Sequence, residues 1–422
     1  MVEGMKNMKH RYMIIATLVL GLVLAQQLTA SQYMNARSLA MAKSFTSLAL
    51  SYNSLGVNPA NLAFEDNYFG VELFSAEAQL NNNSFSLSDY NTYNGQHWTQ
   101  ADKDEILSRV PETGLRGNAE SGASALAVAT GSFAFGLTAE GDGRINLDKQ
   151  VLELILNGNS PGQTVDVTNA FGGGTAHADF NISYGAKLMT ASWGEINWGA
   201  NIKYIYGIAY AEVEDASASA VTELYGFSAE GAVNMKTSQG GSGFGLDLGL
   251  ATVYNDNWKI SMAVTNLVSS IKWNKNNKLN TYIFTVDNLT LETSEDDSTV
   301  TSQDYETNLD DFSTSLAPQL AIGASTRYKS LLLGFDFKQG FKDQGMVSTT
   351  PEVSVGCEAS FLNALPVRAG LAVGGIDGSR SAVGFGLNLS PFTLDVAYVS
   401  TGSLIPIGGK GMGLAISSGL KF

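Results

Sequence analysis

The sequence is poor in residues that build catalytic and metal sites. Its 422 residues include one cysteine and three histidines. Because Cys357 is alone, no intramolecular disulfide can form. His97 and His177 lack Cys, His or acidic partners at the spacing of a zinc or catalytic site. We therefore expect no metal, no cofactor and no enzymatic activity.

Positive charge is also scarce. The chain has 25 Lys and Arg against 40 Asp and Glu, a net charge of −15. A strongly acidic protein is repelled by phosphate backbones, so nucleic acid is excluded as a partner. The main acidic run, residues 292–311, has no EF-hand spacing and is predicted to be a solvated loop; calcium binding is the alternative.

Long apolar runs are absent except near the start. The uncharged run 13–25 follows Lys6, Lys9 and Arg11 and is too short to span a bilayer comfortably. A basic stretch followed by a short apolar run is typical of a secretory signal peptide. We predict a signal peptide over residues 1–25 with cleavage after Ala25, and Ala30 as the alternative. The chain is thus expected to be exported and not to cross a membrane with helices.

Glycine is abundant, with 45 residues against eight prolines, and it alternates with large apolar residues. In the last twelve residues, small or polar side chains occupy one face. The other face carries Met412, Leu414, Ile416, Ser418, Leu420 and Phe422. The same alternation recurs in residues 331–340, 351–361, 382–389 and 391–399, with Cys357 on an apolar face.

Such segments of about ten residues are typical of strands with one face toward lipid. The pattern predicts an all-β fold, a transmembrane antiparallel β-barrel over residues 67–422; a soluble β-sandwich is the alternative. Short turns alternate with longer polar segments, which gives fourteen strands. Sixteen strands result if extra hairpins within 207–242 and 272–290 enter the membrane. The short turns are predicted at 131–132, 189–193, 255–256, 329–330, 362–365 and 390–391.

Two helices are predicted in the longer, extracellular loops. The first runs from Thr99 to Val110, with Thr99 and Asp102 at capping-box spacing; the second runs from about Asp148 to Leu156. Their apolar stripes either capture a hydrophobic ligand or pack against neighbouring structure. The candidate capture residues are Ile106, Leu107, Val110, Val151, Leu152 and Ile155.

The stretch before the first strand, residues 26–66, is apolar and interrupted by proline. It contains SLGVNPANLAF (54–64), in which Pro59 fixes its own backbone and Asn58 can bond its neighbours, so a rigid turn is predicted. A barrel of fourteen strands has an interior wide enough to need filling or to conduct water. An apolar leader next to such a barrel is therefore expected to act as a lumenal plug; an ordinary periplasmic leader is the alternative.

Residues 36–64, ARSLAMAKSFTSLALSYNSLGVNPANLAF, resemble the N-terminal hatch of the FadL-type family of outer-membrane transporters for hydrophobic compounds. They also resemble the related PorV-like proteins. The later segments look closer to an uncharacterised family of FadL-like barrels in Gram-negative bacteria. These segments are TQADKDEILSRVPETGL (99–115), FGLTAEGDGRINLDKQVLELILNGN (135–159), SSIKWNKN (269–276) and PEVSVGCEASFLNALPVRAGLAVGG (351–375).

The resemblance implies an outer-membrane location in a Gram-negative bacterium and passive uptake of hydrophobic small molecules. It implies that the hatch closes the lumen, with Asn58, Pro59 and Ala60 at its turn, and that the third strand has a gap or kink, which Gly136 would permit. It further implies that the barrel-assembly machinery recognises Phe422. The expected partners are outer-membrane lipid and a hydrophobic ligand. The alternative function is a PorV-like interaction barrel that docks secretion-system proteins.

Overall fold

A computed structural model describes most of the chain after residue 34. The described residues are 35–158, 161–162, 164–167, 170–223, 226–255, 257–290, 299–360, 362, 364–404 and 408–422. The predicted signal peptide and both predicted cleavage positions, Ala25 and Ala30, lie outside these residues. Within them, none of the helices combines the length and apolar character needed to cross a membrane.

Nineteen strands are present among the described residues, all joined into one antiparallel sheet. They are β1 Gly70–Asn82, β2 Leu115–Thr130, β3 Phe133–Leu147, β4 Thr164–Val167, β5 Phe171–Ala191, β6 Gly194–Thr222, β7 Phe227–Ser238, β8 Gly241–Tyr254, β9 Trp258–Trp273, β10 Lys278–Leu289, β11 Val300–Asn308, β12 Phe312–Thr314, β13 Gln319–Tyr328, β14 Leu331–Gly340, β15 Glu352–Ala359, β16 Val367–Gly374, β17 Gly378–Leu389, β18 Phe392–Thr401 and β19 Gly411–Lys421.

Fourteen of these strands form the wall of a closed barrel. Around the wall, each strand pairs with the next in the order β1, β2, β3, β5, β6, β8, β9, β13 to β19, and β19 pairs back with β1 from Gly70↔Lys421 to Asn81↔Gly411. Closure leaves no sheet edge in the wall, so its backbone groups are paired without water. The predicted count of fourteen is confirmed, and the alternative of sixteen is wrong.

The remaining strands extend the sheet at one end of the barrel. β6 continues well beyond the wall, where its outer half pairs with β4 and β7; β10 then pairs with β7 and β11. Two of the longer polar segments between the short turns, 207–242 and 272–314, therefore contain much strand. This part has no lipid to face, so its residues do not need the apolar alternation that marks the wall strands. All nine residues of β11 are exposed.

The alternation of faces in the wall agrees with the sequence. In β19 the outward side chains of Met412, Leu414 and Ile416 are 40–61% exposed, whereas the inward residues Ala415 and Ser417 are buried. Large apolar side chains point outward, where lipid would cover them, and small or polar side chains point into the lumen.

The short turns lie together at one end of the barrel, called here the turn end; the opposite end is the loop end. Phe422 lies at the turn end, where its backbone N–H donates to the carbonyl of Phe69 at 3.0 Å. Outward aromatic side chains contact each other there, as expected at a membrane interface. The pairs are Phe69–Phe422, Phe133–Tyr184, Tyr184–Trp198, Trp193–Tyr254 and Trp258–Phe335.

The part of the chain that the structure describes has four α-helices outside the wall strands: α1 Ala36–Ala40, α2 Leu87–Tyr93, α3 Gln100–Arg109 and α4 Lys149–Asn157. α3 and α4 confirm the two predicted helices, and Thr99 caps α3 by exchanging hydrogen bonds with Asp102. α2 was not predicted, although Ser86 and Asp89 form the same capping box at its start.

Candidate functional site in the barrel lumen

The stretch Asn35–Asp66, called here the N-terminal segment, packs against a ring of small residues on the inner wall. Eleven wall strands each contribute a glycine at which an added Cβ would lie within 3.0 Å of an atom of the segment. These glycines, called the glycine ring, are Gly70, Gly136, Gly185, Gly199, Gly249, Gly323, Gly334, Gly356, Gly370, Gly384 and Gly419. The other three wall strands carry the buried alanines Ala127, Ala263 and Ala397.

Direct pairing between strands places the ring at one level of the wall. Gly199 lies opposite both Gly185 and Gly249 in the sheet register, and Gly356 lies opposite both Gly334 and Gly370. Because a glycine has no side chain, the backbone of the segment can approach the wall closely at each of these positions. Since the contacts come from strands around the whole circumference, the segment lies inside the barrel.

Asn58, Pro59 and Ala60 form a turn that contacts the wall. Pro59 begins a 3₁₀ helix, Pro59–Ala63, and the Asn58 side-chain oxygen accepts a hydrogen bond from the Ala60 N–H at 3.0 Å. The Asn58 amide also donates to the backbone carbonyls of Leu250 and Met262, at 3.2 and 3.3 Å. One buried side chain thus both shapes the turn and binds it to β8 and β9.

A second buried anchor comes from Asp336 on β14. One of its oxygens, Oδ2, accepts hydrogen bonds from the backbone N–H groups of Phe45 and Thr46, at 3.0 and 2.9 Å, and from the Thr46 hydroxyl at 2.6 Å. Two strands away along the wall, the Ser261 hydroxyl on β9 donates to the Asn61 side-chain oxygen at 2.8 Å. The wall therefore satisfies these polar groups of Phe45, Thr46 and Asn61.

Ion pairs reinforce these anchors near the start of the segment. Arg37 contacts Glu358 at 2.8 Å, and Glu358 is also bound by Arg368 from the neighbouring strand at 2.7 Å. Lys43 contacts Glu120 at 3.1 Å and lies 3.6 Å from Glu77. Burial acts to lower the pKa of Lys43, but Glu120 and Glu77 outweigh it and raise the pKa above its ordinary value. The ammonium group therefore stays charged at neutral pH.

The cavities beside the segment are small, whereas a larger one opens at the loop end. Cavities of about 40, 30 and 20 Å³ border Lys43 and Gly56 of the segment or the wall next to them. Each has room for one or a few waters only. The loop-end cavity measures about 650 Å³. Its lining is mainly polar and charged, with Asp142, Arg144 and Glu212 among its residues, and it includes the aromatic Phe171, Tyr210 and Phe312. That volume falls in the range of small-molecule sites.

Gly136 does not mark a break in the third strand. β3 pairs continuously with β5 from Phe133↔Tyr184 to Asn146↔Phe171. The irregularity lies in the neighbouring strand, where Leu126 forms a bulge with a positive φ of 62° opposite Gly136. The missing side chain of Gly136 makes room for Leu55 of the segment, whose Cδ1 would lie 2.8 Å from an added Cβ. The predicted kink at Gly136 is thus replaced by a packing contact.

The candidate capture residues on the loop helices differ in accessibility. Ile106, Leu107 and Val110 are buried, which agrees with the packing alternative. Val151 and Leu152 are half-buried, and Ile155 is 49% exposed. The two helices are joined by a hydrogen bond from Gln100 to Asn157 at 3.0 Å. Of the six, Ile155 alone is fully available on the surface.

The expectation that His177 has no partners is wrong. His177 and Asp179 lie two residues apart on the inward face of β5, with His177 Nδ1 2.9 Å from Asp179 Oδ1. Glu140 on β3 is the direct register partner of His177. The His-x-Asp spacing is visible in the sequence as an alternating pair on one strand face. The pairing with Glu140 depends on the register of two strands across 36 intervening residues.

Comparisons with known proteins agree with this architecture. The chain matches the family described as a family of unknown function, DUF5723, over residues 59–240 and 226–398. No curated protein matches it. The solved structure of the Pseudomonas putida toluene transporter TodX is similar, with 12% identity, coverage of 93% of this chain and 99% of that chain, and a TM-score of 0.53.

Two further structures give the same result. The Ralstonia pickettii toluene transporter TbuX has 13% identity, coverage of 94% and 99%, and a TM-score of 0.50. The monoaromatic hydrocarbon channel CymD has 11% identity, coverage of 94% and 98%, and a TM-score of 0.53. At these identities the likeness shows the fold alone: a closed antiparallel β-barrel like those of these channels.

Proposed function

Because the chain belongs to the DUF5723 family and folds as a fourteen-stranded FadL-like barrel of the outer membrane, we propose that it admits hydrophobic small molecules passively, with the N-terminal segment acting as a hatch. Two of the three similar structures are toluene transporters, and the third is a monoaromatic hydrocarbon channel. A small apolar or aromatic compound is the proposed cargo of this barrel as well.

The observation that carries the proposal is the fit of the segment to the glycine ring. Wall strands contact the segment from all sides, and cavities beside it among the described residues measure about 40, 30 and 20 Å³. An open barrel of this size would conduct water and ions. A hatch in this position would block the passage of ions through the lumen, while a hydrophobic molecule enters by another route.

The proposed entry lies at the loop end. The cavity of about 650 Å³ offers the aromatic surfaces of Phe171, Tyr210 and Phe312 to an apolar ligand. Exposed Ile155 on α4 extends the apolar surface outside the barrel. The remaining capture residues would act by holding α3 and α4 in place.

Two partners follow from the outer surface. Outward apolar side chains are proposed to contact outer-membrane lipid. Phe422 is exposed and directly follows β19, and it is the proposed contact for the barrel-assembly machinery. Lipid and the barrel-assembly machinery are both proposed from the position of these side chains on the outer surface.

A second candidate function, docking of secretion-system proteins, is favoured by the strand extension. β11 is exposed along its length and pairs with β10 on one side. Exposed strands of this kind are used to add a strand from another polypeptide. A docking barrel has no need to admit a small molecule, so an uptake assay separates the two functions.

Cells that display the full-length protein are expected to take up radiolabelled toluene several-fold faster than cells with an empty vector. The hatch blocks polar solutes, so uptake of labelled sucrose should stay at the vector level. Initial rates are measured at equal amounts of folded barrel in the outer membrane. Toluene entry at the vector level would contradict the uptake function and favour the docking function.

A further inference from the structure

Three potential metal ligands meet on the lumen wall beside the N-terminal segment. A donor atom from each of Glu140, His177 and Asp179 lies within 4.8 Å of the other two. In a tetrahedral site with bonds of about 2.0–2.2 Å, the ligand atoms are about 3.4 Å apart. The His177 Nδ1 and Asp179 Oδ1 atoms are already 2.9 Å apart. A small rotation of the carboxylates would complete three corners of such a site.

The surroundings hold an excess of negative charge. Lys203 is bound to Asp247 at 2.9 Å and lies within electrostatic reach of Asp179 and Glu140. Asp179, Glu140 and Asp247 thus place three carboxylates around one ammonium group. A divalent cation held by Glu140, His177 and Asp179 would add positive charge among these carboxylates.

Burial and space also suit a bound cation. The side chains of His177 and Asp179 are 2% and 1% exposed, so water competes poorly for them. A polar cavity of about 20 Å³ borders Glu140, Lys203 and Gly56 of the segment. A cavity of this size holds one water beside Glu140.

We infer that Glu140, His177 and Asp179 bind one divalent transition-metal cation on the lumen wall. One imidazole nitrogen and two carboxylate oxygens form a mixed donor set that suits Zn²⁺. The site joins β3 to β5 directly beside the segment. It is independent of the proposed uptake function, because it requires only the positions of these three side chains.

The test is isothermal titration of the full-length protein with Zn²⁺, after purification in detergent with a tag that contains no histidine. One cation per chain is expected. His177→Gln and Glu140→Gln should each weaken the affinity by about tenfold or more, since each removes one of three ligands. His97→Gln is the matched control, because His97 is exposed in a loop, and it should bind like the unaltered protein.

Folding of each variant is checked by the heat-dependent mobility of the barrel in electrophoresis. If His177→Gln does not fold, Glu140→Gln decides the matter, because Glu140 is less buried. Three results would overturn the inference: no saturable Zn²⁺ binding by the unaltered protein, unchanged affinity in the folded His177→Gln or Glu140→Gln variant, or loss of binding in His97→Gln.

Discussion

Deletion of residues 36–64 is expected to raise the single-channel conductance in planar bilayers by about tenfold or more over the full-length protein, because a fourteen-stranded barrel without its filling has a water-accessible interior. The segment contacts glycines on eleven wall strands. Its removal leaves those glycines facing an open lumen. The full-length protein should show small or undetectable ion currents under the same conditions.

The deletion variant needs a check that the barrel is intact, since the segment also contributes buried contacts. Heat-dependent electrophoretic mobility and a β-type circular dichroism spectrum provide it. Equal, low conductance of the two proteins, with the variant folded, would show that the segment does not close the lumen. Large open-pore currents from the full-length protein would show the same.

Adding one methyl group to the glycine ring is expected to displace the segment. In Gly199→Ala the new Cβ would lie 2.4 Å from the backbone N of Ala60 and from the backbone C of Pro59. Neither atom can move without shifting the turn that Asn58 anchors. Overpacking of this kind costs about 1–3 kcal/mol. Cleavage of the segment by added protease should therefore be faster by about tenfold, since 1.4 kcal/mol is a factor of ten in the open population.

The matched control is Gly245→Ala on β8, four residues before the ring position Gly249. There the nearest atoms to an added Cβ are the side-chain ends of Lys203 and Ile205, at 3.1 and 3.4 Å, which can adjust. Gly245→Ala should leave the cleavage rate unchanged, whereas Gly249→Ala should behave like Gly199→Ala. Equal cleavage rates for Gly199→Ala, Gly249→Ala and Gly245→Ala would contradict the tight fit of the turn to the wall.

The wall of the barrel was predictable because lipid imposes a simple rule on each strand. Leu414 and Ile416 face outward while Ala415 faces inward, and this alternation is readable in one strand at a time. Short turns such as the one between β13 and β14 then fix the number of strands. Strands outside the bilayer need no apolar face toward lipid. The outer part of β6 and all of β11 therefore lack the alternating pattern, and the sequence predicts loops there.

The site was less predictable because it depends on contacts between distant positions. Asn58-Pro59 predicts a turn. The contact of this turn with Gly199 and Gly249 depends on how distant strands align in the barrel, which the sequence does not show. Glu140 and His177 meet only through the register of β3 with β5. By contrast, α2 is predictable from the sequence, because Ser86 and Asp89 have capping-box spacing.

The most direct test of the central claim, that the segment lies against the lumen wall in the native membrane, is a disulfide cross-link. Asn61 and Ser261 are hydrogen-bonded at 2.8 Å. Both are replaced by cysteine in a Cys357→Ser background, intact cells are oxidised, and cross-linked peptides are identified by mass spectrometry. Pairing Asn61→Cys with Ser417→Cys on the opposite wall is the control.

The account predicts a peptide that joins positions 61 and 261, and none that joins 61 and 417. Absence of the first cross-link in folded barrels, with the cysteine at 61 freely labelled by a water-soluble thiol reagent, would contradict it.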